Sequence, residues 1–181
     1  MFNIVWIVLL VLVLLFCFGM VGIVLSLSWQ ALVGVPWERT PRKMTRTMFE
    51  LAGLQEGEHI VDFGSGDGSM VIDAARDFGA FGTGIEGRRD LSWLARFRAR
   101  RHGLQNQTAF LAGDMFTLEA PDADVICSYL FTDVNAKLEP ILLDRYPSGT
   151  RVVARVFPFP TLPLEKTLEA HGNTFRLYRI P

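Results

Sequence analysis

At 181 residues the chain has the length of one domain and half of its residues are apolar; the mean hydropathy of +0.26 is high for a soluble protein. A formal net charge of −1, from 18 Lys and Arg against 19 Asp and Glu, excludes a general electrostatic attraction to nucleic acid. Cys17 and Cys127 stand in separate apolar runs and His59, His102 and His171 are scattered, so neither a disulfide nor a metal site is expected.

The apolar excess sits at the amino terminus. No charged side chain precedes Glu38, and Ile4 to Leu27 is almost uninterrupted Ile, Val, Leu, Phe, Gly and Met, enough to cross a hydrocarbon layer of about 30 Å as a helix. A signal peptide would need a basic leader, a shorter apolar stretch and a small-x-small cleavage site, and none of these is present. Residues 1–29 are therefore expected to form an uncleaved single-pass membrane anchor, with Trp6 and Trp29 at its interfaces. Arg39, Arg42, Lys43 and Arg46 follow the span, which predicts that the rest of the chain faces the cytoplasm. Residues 30–39 read as a juxtamembrane linker in which Gly34, Pro36 and Trp37 end any helix, and residues 40–181 as the folded domain.

Thr40 followed by Pro41 reads as a helix cap and a first-turn proline, with Met44, Met48, Leu51 and Ala52 at helical spacing until Gly53. Short apolar runs bounded by turn residues predict strands over 59–63, 82–86, 108–112, 125–130 and 151–157. Helices are expected over 69–78, 91–102 and 133–146, the last kinked or split at Pro140. A final helix over 164–171 and a strand over 174–180 complete the pattern. The run Arg88, Arg89, Arg96, Arg98, Arg100 and Arg101 reads as a solvated helix face, or, in a tethered domain, as a face against anionic lipid. Strands alternating with helices predict an α/β fold of parallel βαβ units covered on both faces, with ligands at the carboxyl ends of the strands.

The first such end carries HIVDFGSGDGSM, residues 59–70. A phosphate-cradling loop would need Gly-Lys-Ser/Thr after four residues, and a dinucleotide fingerprint would need glycine at Ser69 instead of Gly68. Asp67 falls where a pyrophosphate would meet the helix amino terminus, and a carboxylate there competes for the same N–H groups, although an ordinary cap also explains it. A ligand without phosphate and with a positive centre fits better, and S-adenosylmethionine has both properties and a ribose diol. Glu86, closing the second strand, is placed to accept from that diol, and Asp114, after the third, from the adenine amine, with Met115 as an apolar wall.

These residues resemble the class I S-adenosylmethionine-dependent methyltransferases: VDFGSGDG at 61–68 is similar to their first motif, with Glu86 and Asp114 at the matching later positions. VPWERTP at 35–41, YLFTDVNAKLEPILL at 129–143 and PSGTRVVARVF at 147–157 are similar to a narrower group. That group comprises small prokaryotic relatives of the membrane-anchored mitochondrial enzymes that methylate lysines of the ATP synthase c subunit and the adenine nucleotide translocase. The resemblance covers roughly residues 35–181. It implies a Rossmann-like, mostly parallel sheet of six to seven strands behind one transmembrane helix. It also implies S-adenosylmethionine as cofactor, with Asp62, Gly64, Ser65, Gly66, Glu86, Asp114, Met115 and Ser128 around it. The acceptor it implies is a lysine of a protein at or near the membrane, with no nucleic acid and no metal as partner. Ser69, and Ala154 and Arg155 where relatives carry Ser-His, depart from the pattern.

The cofactor arrives activated, so the protein's main task is to align a nucleophile and exclude water. The fourth strand end supplies Tyr129 and Asp133 as substrate-lining candidates, with Phe131 beside them. A lipid or small hydrophobic acceptor is the alternative enzymatic reading, and a cofactor-binding scaffold without activity the alternative of another class.

Overall fold

The computed structural model describes residues 2–33 and 38–181, in two units, Met1–Trp37 and Glu38–Pro181. In the first, a single helix α1 (Phe2–Val33) runs past residue 29, so residues 30–33, read as linker, are helical. Its window Trp6–Val24, 19 residues with a mean hydropathy of 3.2 and none buried, is long and apolar enough to cross a membrane. Gly34, Pro36 and Trp37 and the Trp29 side chain lie outside the described residues.

The second unit opens with α2 (Arg42–Ala52). Pro41, not Thr40, stands at its start, and its carbonyl accepts from the Met44 N–H at 2.8 Å; Thr40 supplies no cap and is buried instead. Then come β1 (His59–Phe63), α3 (Ser69–Phe78), β2 (Phe81–Glu86), α4 (Arg89–Arg101), β3 (Thr108–Ala112), β4 (Val125–Ser128), α5 (Thr132–Arg145), β5 (Arg151–Arg155), β6 (Leu164–Ala170) and β7 (Asn173–Arg179). Pro140 lies inside α5 without splitting it. The missing N–H removes one rung, and the wholly buried Leu138 and Leu142 on either side hold the helix against the sheet.

The predicted helix over 164–171 is strand β6, the largest departure from the sequence reading. Leu164 and Leu168 sit four apart among good helix formers, but β6 pairs antiparallel with β7 across a turn where His171 and Gly172 take φ of 54° and 71°. Two successive positive φ values make the turn that suits a hairpin's twist, and the pairing overrides local propensity.

The seven strands are ordered β3-β2-β1-β4-β5-β7-β6. Strands β1 to β5 are parallel, and β7 inserts antiparallel between β5 and β6. Side chains alternate across a strand. Ile60, Val125, Cys127, Val153, Phe175 and Leu177 form one core with Met48 and Phe49 of α2, Val71 of α3 and Ala95 of α4. Burying each large side chain of this kind contributes about 1.5–3 kcal/mol. Ser128, one position out of phase with Cys127, bonds Asn135 of α5, so α5 covers the opposite face. Strand order reverses between β1 and β4, which puts the crevice for a ligand at their carboxyl ends.

Candidate active site

The chain leaving β1 folds back over β2: the Gly64 and Ser65 N–H groups donate to the Ile85 carbonyl at 2.8 and 3.0 Å. Gly64 takes φ 78° and Gly68 φ 73°. A Cβ on Gly68 would fall 2.5 Å from the Phe110 ring, and one on Gly64 2.8 Å from Leu130 Cδ2. The loop is therefore clamped between β3 and the segment after β4, with the Met115 methyl also beside Gly64. Gly84 in β2, which the sequence reading passed over, leaves room for the Ser65 side chain; a Cβ there would lie 2.5 Å from Ser65 Oγ. The alternate glycines of FGTGIE were the available signal. Ser65 Oγ is buried and has no partner among the described residues.

Glu86 closes β2 with Oε2 accepting from the Gly66 N–H at 2.8 Å and Oε1 from the Arg88 N–H at 2.9 Å. Each carboxylate oxygen keeps a second lone-pair direction for another donor. Asp62, 4% exposed, has no hydrogen-bond partner among the described residues. Burial pushes its carboxyl well above the usual carboxylate range, and the Glu86 and Asp67 charges add to the shift. Asp114 follows β3, exposed, with Oδ1 accepting from the Phe116 N–H at 2.9 Å. The Gly113 N–H donates to the Glu86 carbonyl at 3.0 Å, which brings the ends of β2 and β3 together.

Asp67 does not stand free against a ligand. Its carboxylate pairs with Arg98 of α4, lies 3.5 Å from Arg39 Nε, and accepts from Ser69 Oγ at 2.6 Å. Two guanidiniums neutralise it, so the task of disfavouring phosphate falls to Glu86 and Asp62. Arg98 is accordingly an internal anchor rather than part of a solvated face, and Arg96 likewise donates to the Phe110 carbonyl at 2.5 Å. Neither pairing has a local sequence signal, because the partners lie 31 and 14 residues apart.

On the other side of the crevice, Ser128 is buried and its hydroxyl donates to Asn135 Oδ1 at 2.7 Å, so it faces α5. Asn135, also overlooked in the sequence, donates in turn to the Phe157 carbonyl at 3.2 Å. The Tyr129 hydroxyl donates to Glu38 at 2.8 Å, and its ring stacks on Phe157 with centroids 6.1 Å apart. Phe131 meets Phe157 edge-on at 5.0 Å. Burial and the Glu38 bond raise the Tyr129 phenol above its ordinary value, while Arg155 pulls the other way. Asp133 sits exposed in the first turn of α5, where its charge suits the helix dipole without forming a cap.

β5 ends in a strained turn. Val156 has φ 65°, and the Phe157 N–H donates to the Arg155 carbonyl at 2.8 Å, closing a γ-turn of the rare hand. Such backbone costs about 1–3 kcal/mol and persists only where the surroundings over-determine it. Here the Thr174 carbonyl accepts from the Val156 N–H at 2.7 Å and Arg176 donates to the Val156 carbonyl at 2.6 Å.

The crest thus offers carboxylates at the ends of β1, β2 and β3, and aromatic rings at the ends of β4 and β5. The ANTKMT methyltransferase domain family matches residues 62–166, from Asp62 to the start of β6. The chain belongs to that family. A protein-lysine N-methyltransferase of Saccharolobus islandicus is 34% identical over 126 residues, which are 68% of this chain and 77% of that protein. A lysine N-methyltransferase of the ATP synthase c subunit, from Xenopus laevis, is 35% identical over 101 residues, 56% of this chain and 44% of that one. The chain thus spans less than half the length of this second relative. A solved structure described as an RNA methyltransferase from Salinibacter ruber, in complex with S-adenosyl-L-homocysteine, aligns with a TM-score of 0.77. It is 38% identical, and the alignment covers 80% of this chain and 94% of that one. The protein is an S-adenosylmethionine-dependent methyltransferase of class I fold. Its residues fit that cofactor: an unpartnered buried hydroxyl on Ser65, a carboxyl on Asp62 with no hydrogen-bond partner among the described residues and a backbone-held Glu86 lie along one glycine loop at the carboxyl end of β1.

Proposed function

We propose that this methyltransferase acts on a lysine side chain of a protein at or near a membrane, with α1 as a single-pass anchor and the folded unit on the cytoplasmic side. The similarity to the Saccharolobus islandicus protein-lysine N-methyltransferase carries the reading. When bound, S-adenosylmethionine supplies a methyl group on a sulfonium, activated for transfer without metal or oxidant.

The chain's own residues then have two tasks. On the cofactor side, Glu86 would accept from the ribose hydroxyls with the lone pairs that its backbone bonds leave open, Asp114 would accept from the adenine amine, and Met115 would wall the ring. Asp62 would offset the positive charge, and Gly64, Ser65 and Gly66 would offer backbone and one hydroxyl to the amino-acid portion. Ser128 acts indirectly, by fixing Asn135 and through it the Phe157 carbonyl. On the acceptor side, Tyr129, Phe131 and Phe157 form an aromatic mouth that desolvates an incoming amine. A lysine ammonium has a reference pKa of about 10.4 and attacks only when neutral, and desolvation favours the neutral form. Glu38 and Asp133, both exposed, can pass the proton to solvent.

A second reading, RNA as acceptor, is favoured by the Salinibacter ruber neighbour. Against it stand the net charge of −1 and the internal bonds of Arg96 and Arg98. Incubating the full-length protein with methyl-labelled S-adenosylmethionine, membranes and total RNA tests the choice. Label is expected in membrane proteins as methyl-lysine by mass spectrometry. Label confined to RNA or to the lipid extract would overturn the lysine assignment, and cofactor binding in calorimetry with no label in any fraction would leave only a scaffold.

A further inference from the structure

Arg155 is the last residue of β5. Its side chain is 6% exposed, a rare state for a guanidinium unless it is paired. Nε donates to Asn173 Oδ1 at 2.9 Å, the guanidinium carbon lies 4.1 Å from the centre of the Tyr129 ring, and Nη1 is buried without a partner. No carboxylate forms an ion pair with it among the described residues. An uncompensated cation is thus held under the aromatic mouth, and the strained turn at Val156 fixes it there. Burial of this kind destabilises a fold unless the charge is paired and hydrogen-bonded, and here the Asn173 bond and the Tyr129 ring offset only part of that cost.

We propose that the Arg155 guanidinium makes the acceptor lysine nucleophilic: its unneutralised field, acting in a low-dielectric mouth, disfavours the charged ammonium over the free amine. This rests on the lysine reading above. Of the other charged or titratable groups on the elements that meet here, Tyr129 faces the guanidinium with its ring, Glu38 bonds the Tyr129 hydroxyl and Arg176 is tied to the Val156 carbonyl. Glu139 is tied to Thr161, while Glu38 and Asp133 are exposed and screened by solvent. Arg155 is enclosed, and its field is the least screened of the set. The carboxylates at the rim attract the ammonium, the interior repels its charge, and the proton leaves through the rim to solvent. The neutral nitrogen then gives its lone pair to the methyl carbon while the S–C pair stays on sulfur, leaving a methylammonium and a thioether. A neighbouring cation is an established means of activating an amine.

Two measurements on the full-length chain in detergent test this. With poly-L-lysine as acceptor, R155Q is expected to move the pH of half-maximal kcat, which reports the bound lysine, upward by about one unit or more, with S-adenosylhomocysteine affinity unchanged and R155K retaining most of the wild-type profile. Without any acceptor, carbon-13 tyrosine NMR is expected to show the Tyr129 phenol titrating at higher pH in R155Q, assigned by Y129F. Should R155Q lose cofactor binding, R155M serves as the second neutral variant. Identical midpoints in wild type and neutral variant overturn this inference alone. Absence of methyl-lysine from both poly-L-lysine and membrane proteins in the wild type overturns the lysine reading, and this inference with it.

Discussion

At the ends of β1 and β2 the group left open is a carboxyl that a cation would ionise: Asp62 lies buried without a hydrogen-bond partner among the described residues, beside a loop whose backbone is otherwise fixed through Ile85, Glu86 and Arg98. At the ends of β4 and β5 the group left open is a cation, Arg155, against the ring of Tyr129, which stacks in turn on Phe157. The first arrangement suits a cofactor that is positively charged and the same in every turnover. The second suits an acceptor that must arrive at the methyl uncharged. One sheet edge thus carries opposite electrostatic requirements a few residues apart, and the strand reversal between β1 and β4 separates them.

The largest effect that tests this contrast is expected from Glu86→Ala. It strips the Gly66 and Arg88 N–H groups of their acceptor, so S-adenosylhomocysteine affinity in calorimetry should fall at least about a hundredfold, roughly 3 kcal/mol. Unchanged affinity would place the ribose elsewhere. Gly68→Ala combines a positive φ with a Cβ against Phe110 and should lower stability in urea unfolding by about 2–3 kcal/mol. A smaller, pH-dependent effect belongs to Asp62. Its carboxyl is raised in the free protein and a cationic ligand favours the ionised form, so affinity should weaken as pH falls through that raised value, by up to about tenfold per unit. Asp62→Asn should flatten the profile, and a profile unaltered in that variant would assign the titration to another group.

Val156→Asn sharpens the comparison from the acceptor side. Asparagine tolerates a positive φ better than a β-branched residue, so stability should rise by up to about 1 kcal/mol with the turn kept by its backbone bonds, and kcat should hold because Arg155 stays in place. A fall in kcat despite the gain in stability would tie activity to the strain itself. The smallest effect is expected on removing residues 1–37, which form their own unit. The remainder should fold and bind S-adenosylhomocysteine as the full chain does, and loss of the thermal transition would show that α1 contributes to the core.

Much of the parallel half of the sheet was legible because β1, β3, α3 and α4 are bounded by glycines or turn residues and carry a clean apolar period. β6 was not. Its residues are exposed until Ala170, so no alternation between buried and exposed positions marks it, and only pairing with β7 decides its conformation. Within the site, the positions of Glu86 and Asp114 at strand ends followed from spacing. The engagements of Asp67 with Arg98 and of Ser128 with Asn135 did not, because a side chain's partner is set by packing between elements that the sequence does not order. Arg155 was visible only as a departure from a pattern; its isolation from any carboxylate required coordinates.

The outermost strand also bears on how the folded unit behaves among copies of itself. Along β6, Glu165, Lys166 and Glu169 interrupt Leu164 and Leu168 on a margin exposed to solvent. Unpaired backbone there would otherwise template intermolecular strand addition, and mixed charge on such a rim is a common safeguard. Replacing those three residues with threonine would convert a protected border into an adhesive one.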